Sequence, residues 1–177
     1  MRSRYHVREK ERAHFITSSI VDWLPVFSSP ACCDILAQSL DYCRRAKGLR
    51  LYAWVIMENH FHAVMHTLEL PRVMADLKKF TARRLLAQLE SERRDWLLEL
   101  LVKGKAAHKG HSSHQLWQEG YHPQAIYSDK TMLQKMDYLH ANPVRRDWVA
   151  SAEHWRYSSA HEGLPGAVPV LRCDAWR

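Results

Sequence analysis

The sequence predicts an α+β fold of the ferredoxin-like, split βαβ kind: an antiparallel sheet with helices on one face, plus an additional C-terminal helix that carries Tyr138. Three observations predict it. Apolar patterning alternates between strand and helix periods in the order β-α-β-β-α-β-α. Residues 51–57 and 60–67 are two runs rich in Val, Ile, Tyr, Trp and Phe, separated only by Glu58-Asn59, and read as a hairpin. No internal repeat interrupts that order.

Residues 1–12 are dominated by charge, with Arg2, Arg4, Arg8, Lys10 and Arg12, and read as a basic arm or a solvated tail. Residues 14–23 are β-branched and aromatic and read as the first strand, ended by Pro25 and Ser28-Ser29-Pro30. Ser28 or Ser29 can cap a helix, and Pro30 suits its first turn. Residues 30–47 read as that helix, with Cys32, Ile35, Leu36, Leu40 and Cys43 on one face and Gly48 as its stop. After the hairpin, Pro71 opens a second helix with an apolar stripe of Val73, Leu77, Phe80, Leu85 and Leu89. Its other face is basic, with Arg72, Lys78, Lys79, Arg83 and Arg84, followed by Arg93 and Arg94. Few acids interrupt it before Glu90 and Glu92, so contact with a phosphate backbone is expected there. Residues 96–101 either extend this helix or form a short one.

Residues 104–114, rich in Gly, Ser, Lys and His, read as a flexible loop, and the spacing of its three histidines supports no metal site. Residues 116–128 read as the last strand, bent at Gly120 or Pro123. Asp129 caps the final helix, which carries Met132, Leu133, Met136, Leu139 and His140 and breaks at Asn142-Pro143.

The chain of 177 residues fits one domain over 1–177, with 1–12 as an arm, 104–114 as a loop and 161–177 as a tail. No apolar run is long enough for a membrane span, so no membrane partner is expected. The charged N-terminus has no apolar stretch after it as a secretory signal needs, and cytoplasm is the default. The 4 cysteines include no Cys-x-x-Cys pair, which disfavours a disulfide framework or a thiolate zinc site. A net charge of +7 fits a polyanionic partner.

The chemistry centres on His60-Phe61-His62. On a strand, residues i and i+2 share a face, so His60 and His62 stand side by side while Phe61 packs into the other side. Two converging imidazoles can hold a divalent metal or a phosphate. Tyr138 and Asn142, at i and i+4, share one face of the last helix. Alone, Tyr138 reads as a half-buried core tyrosine and Asn142 as a helix cap. If their face meets the sheet, a phenol and an amide oxygen join two imidazoles, and such a set suits Mg²⁺ or Mn²⁺ with positions open for a phosphate oxygen and water. Tyrosine is a reluctant nucleophile: an ordinary phenol, with a pKa of about 10, is ionised only about one part in a thousand at pH 7. A metal and a basic pocket can offset that handicap.

These residues also carry a resemblance. Tyr-Ala-Trp-Val-Ile-Met-Glu-Asn-His-Phe-His (52–62), Leu-Trp-Gln-Glu-Gly-Tyr-His (116–122), Asp-Tyr-Leu-His-Ala-Asn-Pro-Val-Arg (137–145) and His-Trp-Arg-Tyr-Ser-Ser (154–159) resemble the REP-associated tyrosine transposases, single-tyrosine members of the HUH endonuclease superfamily. The match spans roughly residues 12–160. The resemblance implies His60, His62 and Asn142 as metal ligands and Tyr138 as the nucleophile. It implies cutting of single-stranded DNA near a short palindromic hairpin, through a covalent 5′-phosphotyrosine with a free 3′-hydroxyl, in a bacterial, nucleoid-associated protein. Relatives usually carry Pro in the turn filled here by Met57-Glu58-Asn59, and often Ala-Gly where Arg146-Asp147 stands.

The expected function is therefore a metal-dependent single-stranded DNA endonuclease and strand transferase. Arg4, Arg8 and Arg12 of the arm and Lys78, Lys79, Arg83 and Arg84 of the second helix are its expected DNA contacts. Two other readings stay open: a non-catalytic binder of structured DNA or RNA, and a phosphodiesterase that uses water with Tyr138 merely structural. A single domain suits a monomer acting in cis better than a homodimer.

Overall fold

The computed structural model describes residues 9–103 and 115–176. Arg4, Arg8, most of the basic arm and the 104–114 loop lie outside the described residues. Four strands, β1 (His14–Ser19), β2 (Arg50–Ile56), β3 (His60–His66) and β4 (Gln124–Ala125), form an antiparallel sheet in the order β2-β3-β1-β4. That order is the split βαβ plan: the hairpin β2–β3 lies beside β1, and the chain returns to β1's free edge. The helices are α1 (Pro30–Ala46), α2 (Leu70–Ser91), α3 (Asp95–Lys103), α4 (Asp129–His140) and the single turn α5 (Asn142–Arg145).

Alternation along the strands makes two apolar layers. Ile16, Leu51, Trp54, Ile56, Phe61, Ala63 and Met65 face α1, α2 and α3 in the larger core. Phe15, Ala53, Val55 and Val64 face the other way, toward Met132 and Leu139 of α4. Full burial of Phe61 alone contributes roughly 1.5–3 kcal/mol, which pins the hairpin's register. A one-residue slip would turn His60 and His62 into that core.

The hairpin closes where expected, with Met57 N–H donating to the His60 carbonyl at 2.8 Å. The turn carbonyls are held from outside: Phe27 N–H donates to Glu58 O and Ile20 N–H to Asn59 O, both at 2.8 Å. α1 begins at Pro30, but Ser29 does not cap through its side chain, because its hydroxyl donates to Glu92 Oε1 at 2.6 Å. Gly48, at φ +63, ends the α1 region as the spacing predicts.

Several expected boundaries move. β1 stops at Ser19; Asp22 and Trp23 take positive φ, and residues 21–23 curl into a 3-10 turn. The expected strand over 116–128 shrinks to the two residues of β4 and a single bridge from Trp117 to Ile20. Positive φ at Gly120 and His122, and the missing N–H of Pro123, interrupt the ladder between them. Ser128, not Asp129, caps α4, accepting from Thr131 N–H at 3.2 Å. Phe80 leaves the apolar stripe of α2 and is exposed, and Thr81 takes the buried position. Asp147 adopts φ +56 after α5, a left-handed exit that Asp tolerates better than most residues.

The 154–159 motif is a clasp on the sheet edge. Ile56 N–H donates to Tyr157 O at 2.8 Å, Trp54 N–H to Ser159 Oγ at 3.0 Å, and His140 Nε2 meets the same Ser159 hydroxyl at 2.7 Å. The tail is docked, not loose: Leu171 is buried, and Asp174 takes both Arg44 and Leu51 N–H. Among the described residues, no helix is long and apolar enough to cross a membrane.

Candidate active site

His60 and His62 project from β3 on the α4 side of the sheet, opposite Ser19 and Thr17 of β1. Their rings lie 4.7 Å apart, and both residues are only 6% exposed. α4 packs across β2 and β3 through Met132 and Leu139, and this brings Tyr138 to the pair. The rings of His62 and Tyr138 meet edge-to-face at 5.7 Å, and Phe15 fills the corner, stacked on His62 at 5.3 Å and edge-on to Tyr138 at 5.8 Å. Tyr138 remains 41% exposed, within reach of a large substrate. One chain supplies both the tyrosine and the histidines.

Each imidazole has its Nδ1 engaged. His60 Nδ1 lies 2.7 Å from Asn59 Oδ1, and Asn59 Nδ2 donates to Trp23 O at 3.2 Å. With its amide nitrogen so committed, Asn59 offers Oδ1 as an acceptor, which assigns the proton to His60 Nδ1 and leaves the lone pair on Nε2. His62 Nδ1 lies 2.8 Å from Thr17 Oγ1. Asn142 opens α5 just past the end of α4, its Nδ2 donating to Tyr138 O at 2.8 Å, which leaves its Oδ1 as an acceptor.

Burial lowers both imidazole pKa values from the ordinary 6.5: His60 to about 4, helped by the Arg146 charge, and His62 to about 3, helped by His60 and Lys135. The unfolded chain therefore takes up protons that the folded chain refuses, so this stability is complete above pH 6.5 and is lost as pH falls toward 4 and 3. At pH 5 the loss is roughly 2 kcal/mol per histidine. Urea unfolding at pH 7.5 and pH 5 should show this drop, and should show a much smaller one after His60→Gln/His62→Gln; equal midpoints at the two pH values would refute it.

Among the described residues, no group of three or more His, Cys, Asp or Glu side chains assembles a metal site. The residues present still fit a hard divalent ion that keeps exchangeable ligands: two neutral imidazoles side by side, with the Nε2 lone pair of His60 oriented through Asn59, and an amide oxygen on Asn142 of α5.

No family model matches the chain. A curated REP-associated tyrosine transposase of Escherichia coli (strain K12) is 23% identical over 138 residues, 77% of this chain and 70% of that protein. The chain is similar in sequence to REP-associated tyrosine transposases. The solved structure of a REP-associated tyrosine transposase bound to a REP hairpin superposes with a TM-score of 0.66 at 17% identity, covering 99% of this chain and 93% of that one, and shares its fold.

In this chain the expected DNA contacts do not gather at one place. α1 and α2 pack on the sheet face away from His60 and His62. Lys79, Arg83 and Arg84 line a groove of about 670 Å³ between those helices, with Tyr42, Lys47 and Phe80. Lys78 is tied inward, donating to Gln118 O and Gly120 O, each at 2.6 Å. Arg12 lies over the Tyr127 ring at 4.8 Å, on the β4 side.

The cations that do surround the site escaped the sequence reading. Arg145 Cζ stands 5.0 Å over the Tyr138 ring, Lys135 Nζ stands 4.9 Å over Phe15, and Arg146 sits 4.0 Å from Glu58 at the hairpin turn. Lys135 had a local signal, being i−3 from Tyr138 on the same helical face. Thr17 and Asn59 had none, because their role depends on cross-strand register and on the contact with Trp23.

Proposed function

We propose that this chain is a metal-dependent single-stranded DNA endonuclease and strand transferase that cuts near palindromic repeat hairpins, in cis, in the bacterial cytoplasm on nucleoid DNA. The observation that carries the reading is the juxtaposition of an exposed Tyr138 with a buried, neutral, oriented histidine pair. The hairpin-bound state of the structural neighbour supports DNA of that kind as the partner.

Tyr138 Oη attacks the scissile phosphorus. A phosphotyrosine bond to the 5′ side forms, the bond to the 3′-oxygen breaks, the phenolic proton leaves to solvent and the 3′-oxygen is released as a hydroxyl. The bond energy stays in the phosphotyrosine, so a 3′-hydroxyl can later attack it and rejoin a strand; hydrolysis would need no such store. His60 and His62 through Nε2, and Asn142 through Oδ1, would hold Mg²⁺ or Mn²⁺. Such an ion, when bound, withdraws charge from a non-bridging phosphate oxygen as a Lewis acid. Arg145 and Lys135 flank the path of the phosphate, and Phe15 keeps the Tyr138 ring against His62. Arg12, Lys79, Arg83 and Arg84 would grip backbone farther from the cut, and Arg4 and Arg8 belong to the same basic arm as Arg12.

The test mixes the protein with hairpin oligonucleotides copied from repeats near its gene, with and without Mg²⁺ or Mn²⁺. A denaturing gel should show a metal-dependent protein–DNA adduct. Tight binding without adduct or nicking would make it a binding module; nicking without adduct would assign the attack to water. Asn59→Ala should weaken Mn²⁺ binding by about 10- to 100-fold, since it frees the His60 ring to choose the wrong tautomer. Titration of Mn²⁺ against the protein checks this without any cleavage assay, and an unchanged affinity would discard the role given to Asn59.

A further inference from the structure

A tryptophan that the chemistry above does not use stands at the lip of the site. Trp23 is 54% exposed and joins neither apolar core. Its φ is +55, and Asp22 before it has φ +52. Bulky L-residues rarely enter this left-handed region, which favours Gly or Asn. The loop is nevertheless firmly anchored. Val21 N–H donates to Leu116 O at 2.9 Å, Trp23 N–H to Ile20 O at 3.2 Å and Leu24 N–H to Val21 O at 3.2 Å, and Val21 and Leu24 on either side are buried. Folding thus holds the backbone in a conformation that a tryptophan resists and leaves its ring outside. Over-determined strain of this kind gathers at functional sites.

The ring is aimed at the site. It stands edge-on to His60 at 5.8 Å, and the Trp23 carbonyl accepts from the same Asn59 amide that orients His60. Trp23, His60, His62 and Tyr138 form a row of rings with successive centroid spacings of 5.8, 4.7 and 5.7 Å. The cations Lys135 and Arg145 lie at the Tyr138 end and Arg146 lies near His60, against Glu58, whereas Trp23 itself is flanked by the exposed Asp22, which repels phosphate. A strand whose phosphate lies over the histidines therefore presents a base, not its backbone, to Trp23.

We propose that Trp23 is a stacking platform for an unpaired base of the single-stranded DNA beside the phosphodiester that Tyr138 attacks. This rests on the reading of the site as a single-stranded DNA site. Stacking of this kind tolerates any base, because every base has a π-face.

The test measures binding of a repeat hairpin with a single-stranded extension, by fluorescence anisotropy, to the full chain carrying Tyr138→Phe so that no strand is cut. Adding Trp23→Asn should weaken binding by roughly ten-fold or more. Asn suits the left-handed backbone, so the melting temperature should hold or rise, which a merely structural tryptophan would not allow. Trp23→Phe should recover most of the affinity. One abasic position in the extension should reproduce the loss with Trp23 present and add nothing to Trp23→Asn. Unchanged affinity in Trp23→Asn, or a loss that no single abasic position matches, overturns the platform while the DNA reading stands. If no extended hairpin binds even with Trp23 in place, both fall.

Discussion

Tyr138→Phe is expected to abolish the covalent adduct and lower strand cleavage by on the order of 10³-fold or more, while hairpin binding stays within about two-fold. The change removes one oxygen and keeps the ring. The ring is what packs on Phe15 and His62 and lies beneath Arg145, so the local structure should survive. Tyr138 is an exposed residue, so the melting temperature should not move by more than a degree or so. Binding draws mainly on cations and base contacts that the substitution leaves in place. The decisive readouts are the adduct on a denaturing gel and the affinity of the same preparation. Cleavage that persists in Tyr138→Phe would remove the tyrosine mechanism and favour attack by water.

The second large effect belongs to the histidine pair. His60→Gln and His62→Gln should each remove metal-dependent cleavage by about 10²-fold or more, the scale expected when several kcal/mol of transition-state charge stabilisation is lost. Gln is chosen because both sites are buried and an alanine would leave a hole and an orphaned partner at Asn59 or Thr17. Mn²⁺ binding followed by electron paramagnetic resonance gives a readout separate from activity. Loss of Mn²⁺ binding together with cleavage fits the ligand role. Cleavage that survives both substitutions, or that proceeds equally in a chelator, would discard the metal site and leave His60 and His62 as core histidines. The depressed pKa values sharpen the expectation: protons should not compete for the imidazole lone pairs near pH 6, where an exposed pair would already be mostly protonated.

The sequence by itself determined whatever depends on a local period. Alternation placed His60 and His62 on one face and Phe61 on the other, and the four-residue helical repeat aligned Tyr138 with Asn142. The succession of strand and helix patterns was enough for the β2-β3-β1-β4 sheet, because few compact arrangements suit that order. Only the tertiary structure decided which side of the sheet each element took. α4 lies on the histidine face through Met132 and Leu139, whereas α2 carries Lys79, Arg83 and Arg84 to the opposite layer. Both helices are amphipathic, and a local pattern says that a helix has an apolar face without saying which sheet face will meet it. The partners of the imidazoles were hidden for a related reason: Thr17 reaches His62 across the β1–β3 register, and Asn59 is oriented by a carbonyl far away in the chain. Trp23 and the short β4 were misread because positive φ at residues 22, 23, 120 and 122 breaks a strand pattern that side-chain composition alone would continue. Periodicity follows from the covalent chain; cross-strand register, layer choice and the strain that loops accept follow from packing the whole chain at once.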